Sequence, residues 1–364
     1  MLGNVVKGST SAARPRMRRL WLKAHRWLGL SFGVVLMVAA LSGSVMLAVE
    51  PIDELINRDL TFPTDASNVS YGAVLENLEG FTKPNTDVTL RPPRDANESF
   101  QAFVRGDWRG TVYLHPSTGE ILGRRGETEG FMGFLFALHS NLFAGEVGKA
   151  VLTMSVIAYL LMLASGIYLW WPKRWSRALS MRWTTGTHRA LFDWHRVTGV
   201  LFGFVVLIAL GSGAYMAWPP LARSVNLLVN DTHSAPPSIS GGPPTARTVE
   251  VAVQQAQTLF PTAMVGYVQI PTLPDRPIRV RLRLPDDPHP NGLTSVWLHP
   301  DNATPIRSDL WSELDLGTHA YAYIYPLHIG ELWGTPWTIL VFITGGVLSA
   351  YAVTGFLLWV RRRR

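Results

Sequence analysis

With 364 residues, 47% hydrophobic and only 16% charged, the chain carries too little charge for an ordinary soluble domain, in which about a quarter of residues are charged. A net charge of +7 would suggest a nucleic-acid partner only if the basic residues shared one surface, and their distribution along the chain argues against that. The absence of cysteine excludes disulfide staples, Cys-ligated zinc or iron–sulfur sites, and covalent haem attachment through C-x-x-C-H.

In chain order, a basic segment, 1–26, leads into an apolar run, Trp27–Val49. Three more such runs follow at Ala150–Trp171, Val197–Trp218 and Trp337–Val360. Each is long enough to cross a hydrocarbon core of roughly 30 Å, which takes about 20 helical residues. The first run follows Arg14, Arg16, Arg18, Arg19 and Lys23, as a signal peptide would. It is longer than the usual apolar region of a signal and lacks a small-residue cleavage site, so it is expected to stay as an anchor.

The insert 50–149 opens with Pro51–Asp59, which extends the first helix, followed by a helix over Tyr71–Phe81. Strands are predicted at Asp87–Leu90, Ser99–Val104 and Thr111–Leu114, and Pro116–Gly119 turns the last of these into a hairpin with Glu120–Leu122. The insert 219–336 begins with a Pro/Gly/Ser-rich linker, Ser234–Pro244, then a helix over Val249–Phe260. Its strands are predicted at Met264–Ile270, Ile278–Leu284 and Thr294–Leu298. Each insert thus reads as a small α+β module, one helix with its own curled antiparallel sheet.

Segments 1–26, 172–196 and 361–364 hold 17 of the 33 Lys and Arg residues against a single acid, Asp193, while the two inserts hold the other 25 acids. This is the positive-inside bias. It places both chain ends and the loop 172–196 in the cytoplasm and both inserts on the far side, and it makes the basic charge a marker of topology, with no nucleic-acid partner expected.

The pattern His-Arg-x-x-Gly-x-x-Phe-Gly occurs at His25–Gly33 and again, 170 residues later, at His195–Gly203. A second repeat at an offset of 189 relates Leu138-His139 to Leu327-His328, and Gly166, Leu169 and Trp170 to Gly355, Leu358 and Trp359. The chain therefore reads as internally duplicated. The expected fold is a membrane all-α four-helix bundle with two extracytoplasmic α+β modules.

Helices one and three run in the same direction, so His25 and His195 share the cytoplasmic level, and His139 and His328 share the opposite one. Parallel repeats are related by a pseudo-two-fold axis along the membrane normal. Residues near that axis meet their copies, and a b-type haem takes two opposed neutral imidazoles. The expected iron ligands are His25 with His195 and His139 with His328, which gives two haem b groups. Gly29, Gly33, Gly199 and Gly203 would leave room for the porphyrin. Arg26 and Arg196, with Lys23 and Arg189 nearby, would pair with propionates at the cytoplasmic level; at the other level only Lys149 and insert arginines are at hand.

Other histidines read differently. His139 and His328 precede their apolar runs and also fit a pre-helix or re-entrant turn lining an iron or substrate site. His188 is expected in the cytoplasmic loop, His319 has no counterpart in the first half, and His115 and His299 precede proline at equivalent turns. Trp170, Trp171, Trp175, Trp183, Trp218, Trp333, Trp337 and Trp359 read as an interfacial belt, with electron relay as the alternative.

Taken together, His25-Arg-Trp-Leu-Gly29, Leu138-His-Ser-Asn-Leu142, Trp170-Trp-Pro-Lys173, Asp193-Trp-His-Arg-Val-Thr-Gly199 and His328-Ile-Gly-Glu-Leu-Trp-Gly334 resemble the PepSY-associated transmembrane proteins over nearly the whole chain. That resemblance implies a bacterial inner-membrane protein with two periplasmic PepSY-like modules, in the manner of haem-containing ferric-siderophore reductases. Its partners would be the membrane, a ferric siderophore and an electron donor, either a quinol or a cytoplasmic reductase, since no nicotinamide or flavin fingerprint follows a strand. Two alternatives stand beside this oxidoreductase: a non-redox PepSY binding or regulatory protein, and a haem or iron transporter subunit. Few intramembrane carboxylates are available for an ion path.

Overall fold

The structure, a computed structural model, describes residues 13–61, 69–78, 80–81, 86–95, 98–172, 174–184, 186–228, 235–271, 273 and 275–361. The start of the expected cytoplasmic N-terminus and residues 362–364 lie outside this set. Two compact units emerge, Met1–Ser44 with Leu138–Ala217 and Leu340–Arg364, and Val45–Ala137 with Trp218–Ile339.

Among the described residues, four helices have the length and apolarity to cross a membrane: α1 (Ala13–Ile56), α5 (Gly145–Trp170), α6 (Thr187–Ala217) and α10 (Thr335–Arg361). Between them in the chain lie α2 (Arg58–Thr61), α3 (Tyr71–Asn77), α4 (Gly130–Asn141), α7 (Pro219–Leu228), α8 (Ala246–Leu259) and α9 (Leu316–Ile329). α1 runs through Pro51, as the composition of 51–59 suggested. Its end is fixed by Asp53, whose carboxylate receives two bonds from Arg125, at 2.7 and 3.1 Å.

In the membrane-helix unit one apolar cluster draws on all four long helices, with Leu36, Tyr159, Val206 and Leu348 at its centre. Polar bonds inside a low-dielectric layer tie neighbours together: the Tyr159 hydroxyl donates to Gly203 O (3.1 Å), Tyr351 to Thr198 O (2.6 Å) and Ser44 to Phe342 O (3.1 Å). Val34, Leu41, Leu160, Phe204, Ile339 and Phe356 are exposed on the outer faces, as side chains that meet lipid would be. Trp170, Trp171 and Trp175 pack edge-to-face on one another where α5 ends.

Among the described residues the other unit is built on eight antiparallel strands: β1 (Asp87–Arg91), β2 (Phe100–Arg105), β3 (Arg109–Leu114), β4 (Ile121–Gly126), β5 (Met264–Ile270), β6 (Ile278–Arg283), β7 (Thr294–Leu298) and β8 (Pro305–Asp309). Alternation decides which face is buried. Leu90, Phe100, Ala102, Val112, Leu114, Val268, Val280, Leu282, Val296 and Leu298 point to one side and pack on Val74 and Leu78 of the α3 segment and Val249, Ala252, Val253 and Ala256 of α8. Ser70 and Thr245 cap these two helices with their side-chain oxygens, and Gly72 N donates to Glu250 across the pair.

The strand order is β4-β3-β2-β1-β5-β6-β7-β8, so the two inserts share one sheet where the sequence reading gave each its own. The join consists of Val88, Thr89 and Leu90 opposite Ile270, Gln269 and Val268. Its physical cause is the edge: a four-stranded sheet ending in β1 would leave a row of unpaired backbone N–H and C=O groups, and β5 offers the complementary row.

A candidate histidine centre among the membrane helices

His25 lies within α1 and His195 within α6, and their ring centroids stand 6.3 Å apart with the planes at 86°. The structure therefore brings together the two histidines that the 170-residue repeat singles out. His195 is well inside its helix because α6 starts at Thr187, ten residues earlier than the apolar run suggested.

The Nδ1 atom of each ring is held. His25 Nδ1 lies 3.0 Å from Met162 O and 2.9 Å from Ser165 Oγ, both on α5. A carbonyl only accepts, and the Ser165 hydroxyl already donates to Met162 O at 3.0 Å, so His25 Nδ1 must be the donor. His195 Nδ1 lies 2.8 Å from Thr354 Oγ1 on α10, and that hydroxyl donates to Ala350 O at 2.7 Å, so here too the ring nitrogen donates. In a neutral imidazole this leaves the lone pair on Nε2. Such outer partners fix the tautomer and orientation of histidines that ligate metals.

Ser165 and Thr354 correspond at the 189 offset, as do the glycines after them. A Cβ at Gly166 would sit 3.4 Å from His25 Cε1, and one at Gly355 3.8 Å from His195 Cε1. The glycines stand out in the 189-residue repeat, and the hydroxyls do not. The signal was present: in both copies a hydroxyl residue immediately precedes the repeated glycine.

His139 lies on α4 and repeats the same device, its Nδ1 donating to Ala39 O at 2.7 Å. It can do so because residue 43 is glycine, where a Cβ would come within 2.7 Å of the ring. α4 is a separate helix before α5, set off by Leu142 and Phe143 at positive φ. His328 lies in the other unit, in the last turn of α9, which ends at Gly330 with φ 91°. Both histidines thus sit on short helices ahead of the long ones.

Of the expected propionate partners, Arg196 donates to Ser180 O (2.8 Å) and lies 3.4 Å from the Asp193 carboxylate. Asp193 is fully buried and is also approached by Arg189 (3.1 Å) and Arg182 (3.5 Å). The lone acid of the basic segments is therefore the hub of its arginines. Arg26 is half-buried and has no ion-pair partner among the described residues. Lys149 pairs with Glu146 at 2.7 Å.

His115 and His299 accept backbone N–H bonds at their turns, and His319 packs edge-on to Trp311. His188 is exposed in the first turn of α6.

Two imidazoles on opposite sides of one iron, with metal–nitrogen bonds of about 2 Å, have centroids about 6 Å apart. The 6.3 Å separation, the two donating Nδ1 atoms and the open space beside Gly199, where a Cβ would meet nothing within 4 Å, fit a haem, whereas the other expected glycines are packed: a Cβ would lie 3.6 Å from Met162 Sδ at Gly29, 3.6 Å from Ala352 Cβ at Gly33 and 2.6 Å from Leu163 Cδ1 at Gly203. Among the described residues no group of three or more His, Asp or Glu side chains could hold a metal ion. The candidate centre thus offers two imidazoles facing one another across 6.3 Å.

The family described as the PepSY-associated TM region matches residues 22–362 of the chain. An uncharacterized protein of Pseudomonas aeruginosa is 28% identical over 130 residues, and the match spans about a third of each chain (33% of this one and 33% of that one).

Proposed function

We propose that this chain, which belongs to the family of the PepSY-associated TM region, is a bacterial inner-membrane b-type haem protein that delivers single electrons to a ferric siderophore outside the cytoplasm. The observation that carries the reading is the pair His25 and His195, with rings 6.3 Å apart and both Nδ1 atoms donating to fixed oxygens.

When bound, haem supplies one-electron exchange between ferric and ferrous iron. The chain's residues do the rest. His25 and His195 offer Nε2 lone pairs; Ser165, Met162 and Thr354 hold those rings in one orientation; the helices around Leu36, Tyr159, Val206 and Leu348 exclude water from the interior. His139, with its Nδ1 tied to Ala39 O, would ligate a second haem, making the internally duplicated four-helix bundle a dihaem carrier. The positive-inside bias orients the carrier, with both termini cytoplasmic and the shared sheet outside.

The siderophore is the substrate. Its iron(III) gains one electron and becomes iron(II), a less charged and softer ion that hard oxygen donors hold less tightly. No covalent step is required, and the electron comes from a quinol or a cytoplasmic reductase.

A visible spectrum of the detergent-purified protein, expressed with ample haem, tests the reading. A Soret band and dithionite-dependent α bands are expected, and His195→Ala should remove one haem. Absence of the bands in the wild-type protein would overturn it.

A further inference from the structure

The face of the sheet turned away from α3 and α8 is rich in guanidinium groups. Arg279, Arg281 and Arg283 stand on it at alternate positions of β6. Arg279 lies over the Trp297 ring at 4.8 Å and donates to Ser295 Oγ (3.0 Å) and Gln269 Oε1 (3.4 Å). Arg281 lies over Tyr267 at 5.3 Å and donates to Gly292 O, while Arg94 donates to Asn291 Oδ1 one residue away. Two cations thus converge on the Asn291-Gly292 turn.

None of Arg94, Arg279, Arg281 and Arg283 has a carboxylate within ion-pair distance among the described residues. Most of the acids nearby are already engaged. Asp287 accepts from the backbone of His289 and Leu293, Asp309 pairs with Arg307, and Glu98 pairs with Arg91 and accepts Arg94 N; Glu331 reaches Arg94 only electrostatically. Burial and then the charge of Arg281 push Arg279 down to about 10, so the array repels itself. Beside it, His289 is 2% exposed, stacks on Tyr325 at 4.6 Å and Tyr321 at 5.5 Å, and has no hydrogen bond at Nε2.

Guanidinium groups are weakly hydrated forks matched to paired oxygens, and uncompensated ones gain most from an oxyanion. We propose that Arg94, Arg281 and Arg283, flanked by Tyr267, Tyr321 and Tyr325, bind a small multiply charged anion through its carboxylate or catecholate oxygens. Under the function proposed above, and resting on it in this one respect, that anion is the oxygen-rich surface of an iron chelate.

Isothermal titration of the full-length, detergent-solubilised protein with gallium(III) citrate, against neutral gallium(III) tris(acetohydroxamate), tests the site. The citrate complex should bind and the neutral complex should not, with affinity falling as salt rises. Arg283→Gln, an exposed side chain with no polar contact among the described residues, and Arg281→Gln should each weaken binding about tenfold or more. Equal binding of both complexes, or unchanged affinity in the Arg283→Gln protein, overturns the proposal. So does loss of binding in phosphatidylglycerol but not phosphatidylcholine nanodiscs, which would assign the arginines to a lipid headgroup. Gallium(III) is not reduced here, so this result is independent of electron transfer, and the Soret band of the same preparation reports on the haem separately.

Discussion

Ser165 on α5 and Thr354 on α10, 189 residues apart in the chain, each receive the Nδ1 proton of one histidine, His25 and His195 respectively. Each hydroxyl spends its own hydrogen on a carbonyl of its own helix, so neither can be turned into the donor without losing that bond. The two histidines are thereby held in the same tautomer by equivalent parts of the two repeats.

Thr354→Ala removes this acceptor. Loss of an outer partner typically costs about 10–100-fold in metal affinity, so haem retention at the His25–His195 centre should fall by that order and its reduction potential should shift. Thr354→Ser restores the hydroxyl and should restore both. Haem-to-protein ratio and a potentiometric titration check this, and an unchanged potential in the Ala variant would show that Thr354 plays no part.

Gly43→Ala places a methyl group 2.7 Å from His139 Cε1. The ring must move, and overpacking of this kind costs about 1–3 kcal/mol. The expected spectrum retains the His25–His195 haem and loses the second one. Equal loss of both bands would show that the two centres are not separable.

Asp193→Asn leaves Arg182, Arg189 and Arg196 around a buried neutral amide. Removing one partner of a fully buried ion pair costs about 3–5 kcal/mol. Arg182 and Arg189 can turn to solvent, so about 1–3 kcal/mol is the better expectation here. A lower thermal midpoint in detergent is the measurement.

His289 gives the sheet unit a pH dependence. Burial, then the charges of Arg281, Arg94 and Arg283, push its imidazole down to about 3, below the ordinary value of 6.5. Between these limits the unfolded chain binds the extra proton, so stability falls as pH drops through 6.5 towards 3, with a slope approaching about 1.4 kcal/mol per unit. Asp287, whose carboxyl burial pushes up, works in the opposite direction near the ordinary carboxylate range. In His289→Gln the loss between pH 6 and 4 should shrink, as followed by acid-induced unfolding.

Much of this was legible in the sequence, and what escaped has identifiable causes. The four spans follow from apolar runs, and the repeat at constant offset singles out His25 and His195, whose rings lie 6.3 Å apart. Ser165 and Thr354 were hidden because a hydroxyl in an apolar helix usually bonds back to its own turn, as both of these also do. Arg196 read as a propionate partner because charge alone does not reveal that Asp193, three residues earlier, lies buried among the arginines. β8 escaped because Pro305-Ile-Arg-Ser-Asp309 has neither alternation nor β-branched density. The β1–β5 join left no mark at all: three residue pairs between strands some 180 positions apart carry no periodic signature.

That join has a consequence for synthesis. When the ribosome has finished β1 to β4, the outer edge of β1 has no partner, and it gains one only after Met264–Ile270 has been made, two further long helices later. The nascent first half must therefore wait with an open strand edge, the kind of surface that recruits stray chains. Cutting the gene between the repeats would yield two halves that each keep this wound, and co-expression of both is the condition under which either should escape aggregation.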